Sequence, residues 1–125
     1  EVKSLQTNSV KNLGRDRWVG KAQVDASDRR MVTFPNKTKL NTTCLLRNEF
    51  DLLAVNCFAF GEQWRFAFAL NSELPKNTFS KYTAYQRKHL LPSLVTIEWE
   101  LQPPFTDNPF ALLDKLIQQK SSRPR

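Results

Sequence analysis

Histidine, cysteine and glycine are all scarce in this chain: one His, two Cys and three Gly among 125 residues. Each scarcity excludes a class of chemistry. His89 has no nucleophile paired with it in the sequence, so Ser–His or Cys–His acyl transfer has no foothold. Cys44 and Cys57 lack metal-ligand spacing, with no His near them in sequence, which argues against zinc. Two cysteines are also too few for a disulfide framework. Both sit in apolar, strand-like runs, where a free Cys behaves as a small hydrophobe. Reduced, buried thiols are the expectation, as in a cytoplasm. No Gly-rich phosphate loop and no nucleophile elbow occurs. No apolar run approaches the roughly 18 residues of a membrane span. A basic segment followed by an apolar one is missing from the first residues. A cytoplasmic protein without a membrane partner is expected.

Aromatics and positive charge are what the chain has. Nine Phe and three Trp within a hydrophobic fraction of 40% suffice for a core. Residues 1–125 read as a single domain, or as the C-terminal part of one, with 121–125 as a flexible tail. The net charge of +7 is concentrated: Lys3 to Arg47 holds ten basic and three acidic residues. Such a localised excess points to a polyanion, most simply nucleic acid. Lys11, Arg15, Arg17, Lys21, Arg29 and Arg30 are the candidate phosphate contacts. Six such contacts predict a steep salt dependence, roughly −0.9 per contact in log–log slope. The competing reading is a solvated face laced by pairs such as Lys21–Asp25.

Periodicity suggests a strand over Glu1 to Leu5 and a polar loop over 6–15. A helix is expected from about Arg17 to Asp28, capped by Asp16, with Trp18, Val19, Ala22 and Ala26 as its apolar stripe at spacings of three and four. Short strands are predicted at Met31–Phe34 and Thr43–Leu46, with a polar turn between them. Phe50 to Phe58 reads as a central strand forming a hairpin with Trp64–Leu70. An irregular helix is expected within 79–90 and a half-buried strand over Leu94–Leu101. A final helix starts at Asn108-Pro109, with Phe110, Leu112, Leu113, Leu116 and Ile117 as its buried stripe. The order is that of an α/β domain with a mixed central sheet flanked by helices. The first strand has no preceding partner in the chain, so a missing N-terminal part is expected.

Glu1-Val2-Lys3 carries the chemistry. On a strand Glu1 and Lys3 share one face, and Val2 is expected to point into the core. A carboxylate beside an ammonium suits metal-assisted phosphodiester hydrolysis. Mg²⁺ takes hard oxygen ligands and keeps several waters, and a metal there lowers the pKa of a bound water. Lys3 would orient that water or stabilise the developing charge.

Glu1-Val2-Lys3, Gln23 within Lys21-Ala22-Gln23-Val24-Asp25, and the Phe50 to Phe58 strand together resemble the C-terminal portion of the restriction-endonuclease-like, or PD-(D/E)xK, nuclease superfamily. The likeness in element order spans roughly residues 1 to 70. It implies a mixed sheet flanked by helices, Mg²⁺ as cofactor and double-stranded DNA as substrate. By the same resemblance Glu1 is a metal ligand, Lys3 the catalytic lysine, and Gln23 a further site residue on the following helix. The superfamily also places an Asp on the strand before Glu-x-Lys. That Asp is expected on a missing N-terminal segment or a second chain, and a homodimer is compatible with this. Asp51 lies on a later strand, where the pattern does not expect it. The function expected is an endodeoxyribonuclease in restriction or another defence role, with repair as the other setting. The alternative is a non-catalytic nucleic-acid-binding module with the same fold.

Overall fold

A computed structural model describes residues 1–121. The expected tail lies, apart from Ser121, outside the described residues. The fold is mixed α/β. In chain order it runs β1 (Val2–Ser4), β2 (Lys11–Gly14), β3 (Arg17–Gln23), β4 (Arg30–Thr33), β5 (Lys39–Thr42), β6 (Leu52–Asn56), β7 (Phe66–Leu70), α1 (Ala84–His89), β8 (Leu94–Trp99) and α2 (Pro109–Ser121).

The described strands form three small sheets rather than one continuous ladder: β1-β6-β7, β2-β3-β8 and the two-stranded β4-β5. β1 is parallel to β6, while β6 and β7 form the expected antiparallel hairpin, so the first sheet is mixed. Leu5 joins the two larger sheets. Its amide donates to the Asn56 carbonyl, it bridges Ala22 of β3, and the Gln6 amide donates to the Lys21 carbonyl. Inner-face residues of both sheets share one core, including Ala22, Leu53, Val55, Ala67, Val95 and Ile97, with Phe60 from the turn after β6. A second, smaller core of Val32, Phe34, Cys44 and Leu90 lies under β4-β5.

The largest correction is at residues 17–28, a strand and loop rather than a helix. Trp18, Ala22 and Ala26 are spaced by four, a step that keeps residues on one face of a helix and of a strand alike. The even-numbered row Gly20, Ala22 and Val24 is buried, as a strand requires. Gly20 fits this reading: a Cβ there would lie 3.0 Å from the Phe60 ring and 3.2 Å from Val10. Asp16 is therefore not a helix cap. It sits in the turn of a β2–β3 hairpin, where Gly14 and Arg15 have φ of 102° and 52°. The polar 6–15 segment was expected to be loop throughout, and its second half is β2.

Three smaller differences follow the same logic. The expected Thr43–Leu46 strand lies earlier, at β5, because the turn closes over Pro35–Thr38. Of the expected α2 stripe only Leu112 and Leu116 are partly covered, whereas Phe110, Leu113 and Ile117 are exposed. Val2, expected in the core, is 70% exposed. Leu5 takes the core position, and Glu1, Lys3 and Leu5 occupy one row of an extended chain. The start of α2 is as expected, with the Phe110 amide donating to Asn108 Oδ1. Both cysteines are free and buried. Among the described residues no helix is long and apolar enough to cross a membrane.

Candidate active site

Lys3 stands on β1 and Glu1 immediately precedes it, and the parallel ladder to β6 sets Lys3 opposite Val55. Lys3 continues the row of Leu5 beyond the edge of the core. Its stem is partly covered and its ammonium emerges beside the chain that leaves β3. There Lys3 Nζ donates to the Asp25 carbonyl oxygen at 3.2 Å and lies 3.9 Å from Glu1 Oε1.

Gln23 belongs to the same cluster, although it lies at the end of β3 rather than on a helix. Its Nε2 donates to Asp25 Oδ1 at 2.8 Å, and its Oε1 accepts from Gln6 Nε2 at 3.2 Å. The arrangement is a short polar chain, Gln6–Gln23–Asp25, ending at the residue whose carbonyl holds Lys3. The structure thus brings Glu1, Lys3 and Gln23 together. It adds two residues that sequence reasoning did not place in the site, Gln6 and Asp25. The competing sequence reading makes Asp25 an i,i+4 partner of Lys21 on a helix. Once 17–23 is a strand, the odd-numbered row carries Lys21 and Gln23 outward, and the chain then delivers Asp25 to Lys3.

Hard oxygen donors suit Mg²⁺. Glu1 offers a carboxylate whose contact with Lys3 is loose, and Asp25 brings a second carboxylate to the cluster. Glu1 and Asp25 are the residues here whose oxygens could hold a hydrated cation. Among the described residues no three His, Cys, Asp or Glu side chains gather at one point. Asp51, on the approach to β6, instead accepts from Lys120 Nζ at 2.8 Å.

The basic candidates fall into two groups. Lys11, Arg15, Arg17 and Lys21 are exposed on the β2–β3 hairpin. Lys11 pairs with Val19, so Lys11, Arg17, Lys21 and Gln23 share the outer face of that sheet. The expected helical face becomes a strand face leading toward Lys3. Arg29 is exposed beside β5, with its Nη1 donating to the Asn41 carbonyl. Arg30 is held in a two-pronged ion pair with Glu49, one prong at 2.6 Å. That hydrogen bond raises the pKa of the Arg30 guanidinium above its ordinary value. Its charge is balanced within the protein, unlike those of the hairpin group.

A further ionic centre, Asp16–Arg65, serves the fold. The buried Arg65 guanidinium donates to both Asp16 oxygens, at 3.0 and 3.1 Å, and lies 4.9 Å from the Trp99 ring centroid. The Arg65 hydrogen bond, and then the one from Trp18 Nε1, hold the Asp16 carboxyl below its ordinary 3.8. Cys57 is a buried thiol whose pKa desolvation pushes to about 11, so it is no nucleophile at neutral pH.

The chain matches no family model, no curated protein and no solved structure.

Proposed function

We propose that this chain carries the Glu-x-Lys part of a Mg²⁺-dependent endonuclease of restriction-endonuclease-like type, which hydrolyses phosphodiester bonds in double-stranded DNA. The observation that carries the reading is the position of Lys3 Nζ, between the Glu1 carboxylate and the Asp25 carbonyl, with Gln23 anchoring the Asp25 side chain. The mixed sheet in which β1 runs parallel to β6 supports the same fold type.

Glu1 would hold the cation, with Asp25 as a second source of oxygen. Bound there, Mg²⁺ supplies Lewis acidity and acidifies a water molecule. The protein residues do the rest. Lys3 keeps a positive charge at the point where negative charge grows on the phosphate, and the Asp25 carbonyl takes one of its protons in a hydrogen bond. That bond aims the remaining N–H groups outward, toward substrate or the attacking water. Gln6 and Gln23 fix the Asp25 side chain, so the cluster is oriented before DNA arrives. Lys11, Arg17 and Lys21 guide the duplex along the outer face of the β2–β3 hairpin toward it.

The test is nicking of supercoiled plasmid in Mg²⁺ and in chelator. The reading predicts cleavage in Mg²⁺ and none in chelator, with DNA binding retained in both. The basic outer face favours a second reading, a nucleic-acid-binding module without chemistry. That reading predicts salt-dependent binding and no cleavage under either condition.

A further inference from the structure

The outer face of the β4-β5 ribbon has no role in the site above. The ribbon is a sheet of its own, and its two faces differ sharply. Val32 and Thr42 are buried and Leu40 is partly so, over the small core of Phe34, Cys44 and Leu90. The opposite face presents Met31 paired with Asn41, and Thr33 paired with Lys39. All four are exposed, Met31 at 61%. Among the described residues, none of the side chains of Thr33, Lys37, Lys39 or Asn41 is taken up by a hydrogen bond or ion pair. Residues 29 to 48 contain five basic residues and no carboxylate. A bare face of Met, Asn, Thr and Lys in a carboxylate-free segment is matched to a polyanion that also offers apolar and hydrogen-bonding edges.

The ribbon is tied to Tyr82 and Tyr85. Thr42 Oγ1 and the Tyr82 hydroxyl are 2.8 Å apart, and the Asn36 amide donates to the Tyr85 hydroxyl at 3.0 Å. Two antiparallel strands, about 5 Å apart, fit the roughly 12 Å width of the B-DNA major groove. The side-chain types suit its floor: Asn pairs with adenine, Lys with guanine, and Met or the Thr methyl packs on the thymine methyl. The ribbon also starts only five residues after Asp25. An extended chain of that length spans at most about 17 Å, half a helical turn of DNA. The ribbon therefore begins within half a helical turn of DNA of the residue that holds Lys3.

We infer that the outer face of β4-β5 enters the major groove of duplex DNA, with Met31, Asn41 and Lys39 as specificity-determining residues and Lys37 at the turn contacting phosphate. This rests on duplex DNA being the partner, in either form of the reading above. The test is equilibrium binding in chelator, so that cleavage plays no part. Preferred sites are selected from a randomised duplex pool, then affinities are measured for the selected and an unrelated duplex.

The expectation is that Asn41→Ala and Met31→Ala each lower the preference for the selected duplex by roughly 5- to 150-fold. Affinity for the unrelated duplex stays unchanged. Lys37→Ala weakens both duplexes alike and reduces the salt slope by about 0.9. The inference fails if both Asn41→Ala and Met31→Ala select the wild-type site with wild-type preference. It fails equally if the wild type shows no preference, or if duplex RNA, whose deep, narrow major groove admits no ribbon, competes on equal terms. Those outcomes leave DNA as the partner. Absence of any salt-dependent DNA binding by the wild type overturns the underlying reading as well.

Discussion

Single residues in this chain carry either the fold or the proposed chemistry, and few carry both. Asp16 and Arg65 belong to the fold. Arg65 is buried and Asp16 largely exposed, so the pair ties the β2–β3 turn to Arg65 beside Trp18 and Trp99. The Asp16 pKa is depressed in the folded state. Its stabilising contribution is therefore complete above the ordinary carboxylate value and is lost as pH falls through the lower, folded one. Comparing wild type with Asp16→Asn in urea should show a stability gap at about pH 6 that narrows toward about pH 3. Exposure of the carboxylate makes that gap small and salt-sensitive. The cluster at Lys3 is of the other kind: its ammonium is neither needed by the core nor neutralised within it.

Secondary-structure elements show what was legible in the sequence and what was not. The β6–β7 hairpin could be read from two apolar runs around a short glycine-containing loop, β8 from strict alternation, and the start of α2 from Asn-Pro. Residues 17–28 misled because apolar and basic side chains recur every four residues, an even step that fits both periods. The turn at Arg15-Asp16 lacks the Asn-Gly or Asp-Gly signal that marks a hairpin, so β2 and the start of β3 were hidden together. The Glu1–Lys3 pairing was visible because it is local. Asp25 was not, since it reaches Lys3 only through a crossing of two sheets. For α2, apolar spacing alone did not tell which leucines touch the sheet. Leu116→Ala should cost about 1–2 kcal/mol, and Ile117→Ser should stay within about 0.5 kcal/mol in chemical denaturation.

At the scale of the whole molecule, charge is distributed unevenly and so is its availability. Of the six basic residues singled out, Arg30 is balanced by Glu49, while Lys11, Arg15, Arg17, Lys21 and Arg29 project from exposed positions. With Lys37 at the ribbon turn, six contacts set the expected log–log salt slope of DNA binding at about −5.4. Lys21→Ala should reduce its magnitude by about 0.9, and Arg30→Ala should leave it unchanged while lowering stability. A slope that falls equally for both variants would mean that the Arg30–Glu49 pair opens on the DNA.

The polar chain from Gln6 to Asp25 and the loose Glu1 contact converge on the Lys3 ammonium. The most direct measurement is the nicking rate of supercoiled plasmid in Mg²⁺ by wild type and Lys3→Ala, at protein concentrations giving equal DNA occupancy. The account predicts at least a roughly 100-fold loss of rate for Lys3→Ala at unchanged occupancy. Equal nicking by the two proteins, or nicking by neither while both bind DNA, would contradict it.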